Sequence, residues 1–357
     1  VRGAGGITTA ALTAPVAPGG RAVARGEPAL VRGTLSQRAR AAVVRALAAL
    51  LALLPAPIAD AVADAAGELW YRVEPARAAR ARGNLAHVVE TLAARGAGSP
   101  RVRAAATDPE ILEGLVRAVF RHATRTYVES LRGARAAREM AARVANETPA
   151  AVEAAFSTGR PAVFATLHLG SMAAAEAVIV ELLGRPVTAP METLADPELQ
   201  RVIARARASA GVRIIGLREA RRVLLGDLAR GEAVGLIADR DITGGGLKVP
   251  LFGLPASLPI GPALLALEAG VPLHVAAVLR ARAGTYRGYL LTVPHPPPDL
   301  PRRARVAALL AAQAAAFEEL VAVAPEQWWT VFFPIWEDVG PRLRGPAARS
   351  ASVRSQV

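Results

Sequence analysis

The sequence predicts an α/β fold, with a mainly parallel central sheet flanked by helices and an N-terminal helical region before it. Three observations predict this. From about Leu35 to Thr158 apolar residues recur at helical spacing, broken at Pro55, Pro75, the GAGSP of 96–100 and Pro149. From Pro161 onward, short apolar runs alternate with helix-length segments, the pattern of βαβ units. Finally, 357 residues of which 52% are apolar suffice for a sizeable core.

The elements follow in order. Helices are expected over 35–54, 56–72, 75–95, 108–132 and 148–158. AVFATL (162–167) reads as the first strand, followed by a helix from Met172 to Leu183 and the strand PVTAP (186–190). A helix from Asp196 to Ala210, the strand VRIIGL (212–217), a helix over 218–230 and the strand AVGLIAD (233–239) continue the alternation. A helix near 261–269, strands over 272–279 and 289–293, and a long helix over 301–323 complete it. The expected organisation is a disordered extension over 1–33, one domain over 34–338 (a helical part to 158, an α/β part from 159) and a disordered tail over 339–357. The first 33 residues contain no apolar stretch of the signal-peptide type.

Composition narrows the function classes. The chain has no cysteine, which excludes disulfides, thiolate nucleophiles and Cys-based metal sites, and its five histidines fall at no metal-ligand spacing. The net charge of +13 is concentrated at the front, where residues 1–150 hold 21 arginines against 12 acidic residues. Such a basic half attracts polyanions. Nucleic acid is disfavoured, because aromatics are only 4% and no helix-turn-helix, finger or RNP signature accompanies the arginines. A mean hydropathy of +0.29 suits an anionic membrane surface better. The apolar run around Ala46–Pro55 is shorter than the ~20 residues a bilayer span needs, so it reads as a core helix or an interfacial one.

Active sites in open α/β sheets lie beyond the carboxyl ends of strands. The first such end is ATLHLGSMAAAEA (165–177), where His168 leaves a strand, Gly170 permits a tight turn and Ser171 suits the N-cap of the next helix. An imidazole beside a helix N-terminus is placed for proton transfer, with free N–H groups at Gly170 and Ser171 available to a developing oxyanion. The second is IADRD (237–241), where Asp239 and Asp241 flank Arg240 before a glycine-rich loop. That arrangement suits a polar or phosphorylated group, or else an Arg–Asp pair that shapes the loop. Third, PEQWWTVFFPIW (325–336) gathers Trp328, Trp329, Phe332, Phe333 and Trp336, either as a cap on the core or as one wall of an apolar groove.

These segments, in this order, resemble the bacterial lipid A biosynthesis lauroyl/myristoyl acyltransferases, a family that includes the phosphatidylinositol mannoside acyltransferases. The stretches that carry the resemblance are ATLHLGSM, PVTAPME (186–192), RARASAGVRIIGL (205–217), ADRD (238–241), VPLFG with PASLPIGPALLAL, and PEQWW. ARARGNLAHVV (79–89) and FRHATRTYVESLR (120–132) extend it to about residues 35–338. It implies a glycerolipid-acyltransferase-like fold attached peripherally to the cytoplasmic face of the cytoplasmic membrane. It also implies an acyl-CoA or acyl carrier protein donor, a glycolipid or phospholipid hydroxyl as acceptor, and neither a metal nor a bound cofactor. The family's general base maps onto His168, and Arg207 and Arg240 onto its polar-group binders, with Asp239 and Asp241 expected to hold the loop.

The chain departs from the family at one position. Members carry Asp or Glu five residues after the histidine, where this chain has Ala173. The next carboxylate, Glu176, shares a helix face with that slot and is the expected orienting partner of His168. The alternative expectation is a catalytically inactive, lipid-binding relative.

Overall fold

The computed structural model describes residues 33–343. Thr34 begins the first helix with a capping box. Its hydroxyl accepts from the Gln37 amide at 3.3 Å while the Gln37 side chain accepts from the Thr34 amide at 2.8 Å. Helices α1 (Leu35–Leu53), α2 (Ala56–Val73) and α3 (Pro75–Ala94) follow, then the short α4 (Pro100–Ala104), α5 (Pro109–Leu131) and α6 (Gly133–Ala141). Pro75, Pro100 and Pro109 stand at first helical positions, where a missing N–H costs nothing. Helices α2 and α5 pack closely because Gly67 has no side chain: a Cβ there would lie 2.7 Å from the Arg121 Cα.

The α/β part runs β1 (Val144–Asn146), α7 (Pro149–Phe156), β2 (Val163–Gly170), α8 (Met172–Leu183), β3 (Val187–Met191), α9 (Pro197–Ser209), β4 (Val212–Gly216), α10 (Ala220–Ala229) and β5 (Val234–Ile237). It continues through β6 (Leu247–Leu251), β7 (Leu254–Leu258), α11 (Gly261–Ala269), β8 (Leu273–Arg280), β9 (Tyr286–Val293) and α12 (Arg302–Val323). Seven strands form one sheet in the order β1-β9-β8-β2-β5-β3-β4. All neighbours are parallel except β8 and β9, and β6 and β7 form a separate hairpin. The expected fold class is the observed one. The edge strand β1, the hairpin and the helices α4 and α6 are additions to the expected elements.

Helices cover both faces. On one, Leu85, Val89 and Phe120 of the helical part share a core with Leu167, Val275 and Phe317, so the N-terminal helices pack on the sheet. On the other, Phe156 and Ile179 pack over Phe164 and Ala276. α12 is the one described helix long and apolar enough to cross a bilayer. Its Leu309, Leu310, Phe317 and Leu320 are buried in the first core.

Residues 1–32 and 344–357 lie outside the described residues, and with them most of the expected extension and tail. The segment from Gly340 to Arg342, expected to be loose, is tied to α3. The Arg342 amide donates to the Ala79 carbonyl at 2.9 Å, and its guanidinium meets Glu90 at 2.8 Å. The run around Ala46–Pro55 is the second half of α1. It buries Leu51 but leaves Leu47, Leu50 and Leu53 exposed.

Candidate active site

The carboxyl ends of β2 and β5 meet at mid-sheet. Their register pairs Thr166 with Ile237, and the Ala238 amide donates to the Thr166 carbonyl at 2.9 Å. Two residues farther along each chain, side chains again point to one face, which sets His168 beside Asp239. Asp239 Oδ1 lies 2.8 Å from His168 Nδ1. Asp239 Oδ2 accepts from the His168 amide at 2.9 Å, the Trp328 indole at 2.8 Å and the Thr330 hydroxyl at 2.7 Å.

The electrostatics follow from this geometry. The Asp239 side chain is fully buried, whereas that of His168 keeps 18% of its surface open. Burial alone would raise the Asp239 carboxyl. The His168 charge and the hydrogen bonds from His168, Thr330 and Trp328 outweigh burial and hold the carboxyl below its usual value. An ionised carboxylate only accepts, so whenever the imidazole is neutral its proton belongs on Nδ1 and the Nε2 lone pair is free. Trp329 fixes the ring from the side, edge-on at 4.3 Å between centroids. Among the described residues no cluster of histidines and carboxylates is placed to hold a metal ion.

Gly170 turns the chain from β2 into α8 with φ +67°, and a Cβ there would lie 2.1 Å from the Val278 carbonyl. Only glycine fits. The Ser171 hydroxyl caps α8 by accepting from the Ala174 amide at 3.3 Å, but the Ser171 amide itself donates to Val278 O at 2.7 Å. That donor is therefore taken, and the first-turn amides left free of the cap are those of Met172 and Ala173. The Gly170 carbonyl accepts from Thr126, which is held by Arg280 at 2.9 Å, and Arg280 forms a buried ion pair with Glu129. Neither Thr126 nor this pair was among the residues the sequence singled out, because nothing in the motif order brings α5 to the end of β2.

The sequence profile of the family described as bacterial lipid A biosynthesis acyltransferase matches residues 34–336. The chain belongs to that family. Curated relatives include the phosphatidylinositol mannoside acyltransferase of Mycolicibacterium smegmatis (strain ATCC 700084 / mc(2)155), 35% identical over 123 residues, which is 33% of this chain and 40% of the relative. The Mycobacterium tuberculosis (strain CDC 1551 / Oshkosh) protein of the same name is 34% identical over 126 residues, 34% of this chain and 40% of its own length. The alignments thus span about two fifths of the curated relatives they match.

Within this acyltransferase-family chain, the structure redistributes the expected roles. Glu176 does not orient His168, because its carboxylate is held by the Arg207 guanidinium. That pair lines an apolar cleft between α8 and the sheet, together with Leu167, Met172, Ile179 and Phe164. Asp239, expected to hold the loop, carries the histidine instead. Asp241 does hold the loop, accepting from the amides of Thr243, Gly244 and Gly246 and from the Ser257 hydroxyl at 2.8–3.1 Å. Arg240 lies flat over Phe333, its guanidinium carbon 3.8 Å from the ring centroid. The aromatic segment caps the core at Trp328 and touches the imidazole at Trp329, and none of it lines the apolar cleft.

Proposed function

We propose that this chain is an O-acyltransferase of envelope lipids. It moves a long acyl group from acyl-CoA, or from acyl carrier protein, to a hydroxyl of a glycolipid or phospholipid. The observation that carries this reading is the His168–Asp239 pair, with Nε2 free at a helix N-terminus. Nε2 accepts the proton of the acceptor hydroxyl as its oxygen attacks the thioester carbonyl. The negative charge of the tetrahedral intermediate falls to the amides of Met172 and Ala173 at the positive end of α8. On collapse the thiolate leaves and takes the proton back from Nε2, while Asp239 stabilises the imidazolium between the two transfers.

The apolar cleft supports the acyl part of this reading. Phe164 and Thr166, on the strand that carries His168, line it together with Ile179 and Val187. The acceptor of the curated relatives, a phosphatidylinositol mannoside by their names, is the first candidate here. Peripheral attachment to the cytoplasmic face of the membrane fits α1 and α2. Leu47, Leu50, Leu53, Ile58, Val62, Leu69 and Val73 are exposed there, beside the α1 arginines Arg38, Arg40 and Arg45.

Ala173 no longer argues for an inactive relative, because Asp239 provides the carboxylate that position 173 lacks. The test is acyl transfer from radiolabelled palmitoyl-CoA, then from acyl carrier protein, into host lipid extract. Wild type is expected to form labelled lipid and His168→Ala to form none. A wild type silent with both donors would overturn the reading.

A further inference from the structure

At the site β2 does not stay in register with β8. It takes four residues from Thr166 to Gly170 where β8 takes two from Ala276 to Val278, so the strand bulges at His168 and Leu169. A bulge leaves ladder groups to be satisfied elsewhere. The His168 amide goes to Asp239, Leu169 bridges to Trp328, and the peptide joining Gly170 to Ser171 is pinned at both ends. Its N–H donates to the Val278 carbonyl at 2.7 Å, and its carbonyl accepts from the Thr126 hydroxyl at 3.1 Å. The next two amides are those of Met172 and Ala173, so the tilt of this rigid peptide sets where they aim.

Behind Thr126 stands a buried cation. Arg280 donates through Nη2 to the Thr126 hydroxyl at 2.9 Å and through Nε to Glu129 at 2.8 Å, and Nη2 reaches the second Glu129 oxygen as well. The side chains of Arg280 and Glu129 are only 5% and 4% exposed. A pair buried so deeply is a weak source of stability, because lost hydration offsets the attraction. What its planar fork provides is geometry: one guanidinium fixes a carboxylate and a hydroxyl at set angles. Its charge also polarises the Thr126 hydroxyl and strengthens what that group donates. The hydroxyl proton is shared between the Gly170 carbonyl and the His122 carbonyl, 3.0 Å away, so Thr126 ties the turn to α5. None of Thr126, Glu129 and Arg280 lines the apolar cleft.

We propose that Arg280, clamped by Glu129, is a positioning residue for acyl transfer. Through Thr126 it holds the Gly170–Ser171 peptide and thereby aims the Met172 and Ala173 amides at the oxygen of the thioester carbonyl. The proposal rests on the acyltransferase reading of the site. The base is held by other means. Gln327 accepts from the Arg280 amide at 2.9 Å and donates to the Arg280 carbonyl at 2.8 Å, main-chain bonds that a change of side chain leaves in place. Gln327 precedes the Trp328 that donates to Asp239. Loss of the Thr126 link should therefore misplace the oxyanion donors and leave the His168–Asp239 pair intact.

The test uses the full chain and a ketone analogue of palmitoyl-CoA, in which a methylene separates the carbonyl from sulfur so that no transfer can occur. Its carbonyl carries a carbon-13 label, whose resonance moves downfield when N–H groups donate to the oxygen. In the wild-type complex that resonance should lie downfield of its position in Thr126→Val, with Thr126→Ser near wild type. In turnover with palmitoyl-CoA, Thr126→Val should lower kcat about tenfold and Arg280→Lys, which loses the fork, about a hundredfold, each with KM within about twofold. The downfield proton signal of His168 Nδ1, assigned by its loss in His168→Ala, should persist in Thr126→Val. Equal carbonyl resonances in wild type and Thr126→Val, or no binding of the analogue by wild type, would overturn the positioning role whatever kcat does. Loss of the Nδ1 signal in Thr126→Val would overturn it too, because the base would then have collapsed with the turn. A wild type that shows the carbonyl shift but acylates no lipid would defeat the acyltransferase reading and keep the aimed amides.

Discussion

Two histidines sit on the adjacent central strands β2 and β8, and only one has a carboxylate. His274 lies opposite Phe164 near the start of β8, 3% exposed, with Nδ1 3.1 Å from the Thr292 hydroxyl and Nε2 buried without a partner. Burial pushes its pKa down to about 4, so it stays neutral and serves as a core residue. His168 lies at the carboxyl end of β2, open on one side and backed by an ionised Asp239. The residue type and the sheet are the same. What makes a base of one is a buried negative charge behind the ring and open space in front of it.

The same contrast separates two carboxylates. Glu176 is engaged by Arg207, a permanent cation, so its charge is already compensated. Asp239 is held by an indole, a hydroxyl, an amide and the imidazole, and by no arginine among the described residues. Its charge is therefore available to the imidazolium when one forms. The sharpest break of this comparison is removal of either partner. His168→Ala and Asp239→Asn should each lower kcat by about 10³–10⁴-fold with little change in KM. The double variant should be little worse than either single one, since the pair acts as a unit. Asp239→Asn activity within tenfold of wild type would show that the carboxylate is structural.

A smaller effect is expected one layer out. Trp328→Phe and Thr330→Val each remove one donor to Asp239, a hydrogen bond to a charged group worth about 1.5–3 kcal/mol in general. Because the remaining donors still hold the carboxylate, kcat should fall about tenfold with acceptor KM unchanged, in parallel with a lower Tm. Glu176→Gln should instead act through donor KM, because its pair with Arg207 lines the cleft and does not touch the imidazole.

How much of this was legible in the sequence depends on whether the signal was local. The fold class, the order of strands and helices, and His168 at a strand end followed by a glycine turn and a serine cap all follow from neighbours in sequence. The partner of His168 does not. It comes from a strand 71 residues away, and only the sheet order, with β5 directly beside β2, brings it there. Helix periodicity points from His168 to Glu176, whereas the carboxylate that meets the imidazole is the Asp239 of ADRD. The β6–β7 hairpin was hidden for another reason. Its two-residue turn holds Phe252 at φ +51° and Gly253 at φ +81°, and a phenylalanine is no signal for a left-handed position. The ring is buried against Trp328 and Trp336, which offsets the backbone strain.

The two histidines also differ in what acid does to them. A folded-state pKa of about 4 against about 6.5 in the unfolded chain means the unfolded state binds more protons between those values. The His274 contribution to stability is thus complete above about pH 6.5 and is lost as pH falls toward 4. His274→Phe keeps a ring against Phe164 and removes the titration. The fall in Tm between pH 7 and pH 5 should become shallower, while kcat at pH 7 stays within about twofold. Some slope should remain, because burial also holds His122 well below its usual value. Asp239, depressed as well, loses its contribution only below the ordinary carboxylate range near pH 4. An unchanged Tm slope in His274→Phe would mean that His274 does not titrate differently on folding.

The smallest effect is expected where the family pattern points most directly. Ala173→Asp restores the acidic residue that members carry five positions after the histidine. Were position 173 the natural seat of the orienting carboxylate, the variant would gain activity. In this structure Ala173 packs against the cluster formed by Ala137, Met140, Val278 and Tyr286, while the imidazole Nδ1 is already occupied by Asp239. A carboxylate added there meets these apolar neighbours. Its only favourable term is the helix N-terminus, worth about 0.3–1 kcal/mol, set against partial burial of a charge. Activity should stay level or fall slightly, with a modestly lower Tm. Ala173→Asp combined with Asp239→Asn isolates the remaining question. If the added aspartate rescued the double variant above Asp239→Asn alone, either side of His168 could seat its carboxylate, and the strand-borne pair would be one of two solutions the fold allows.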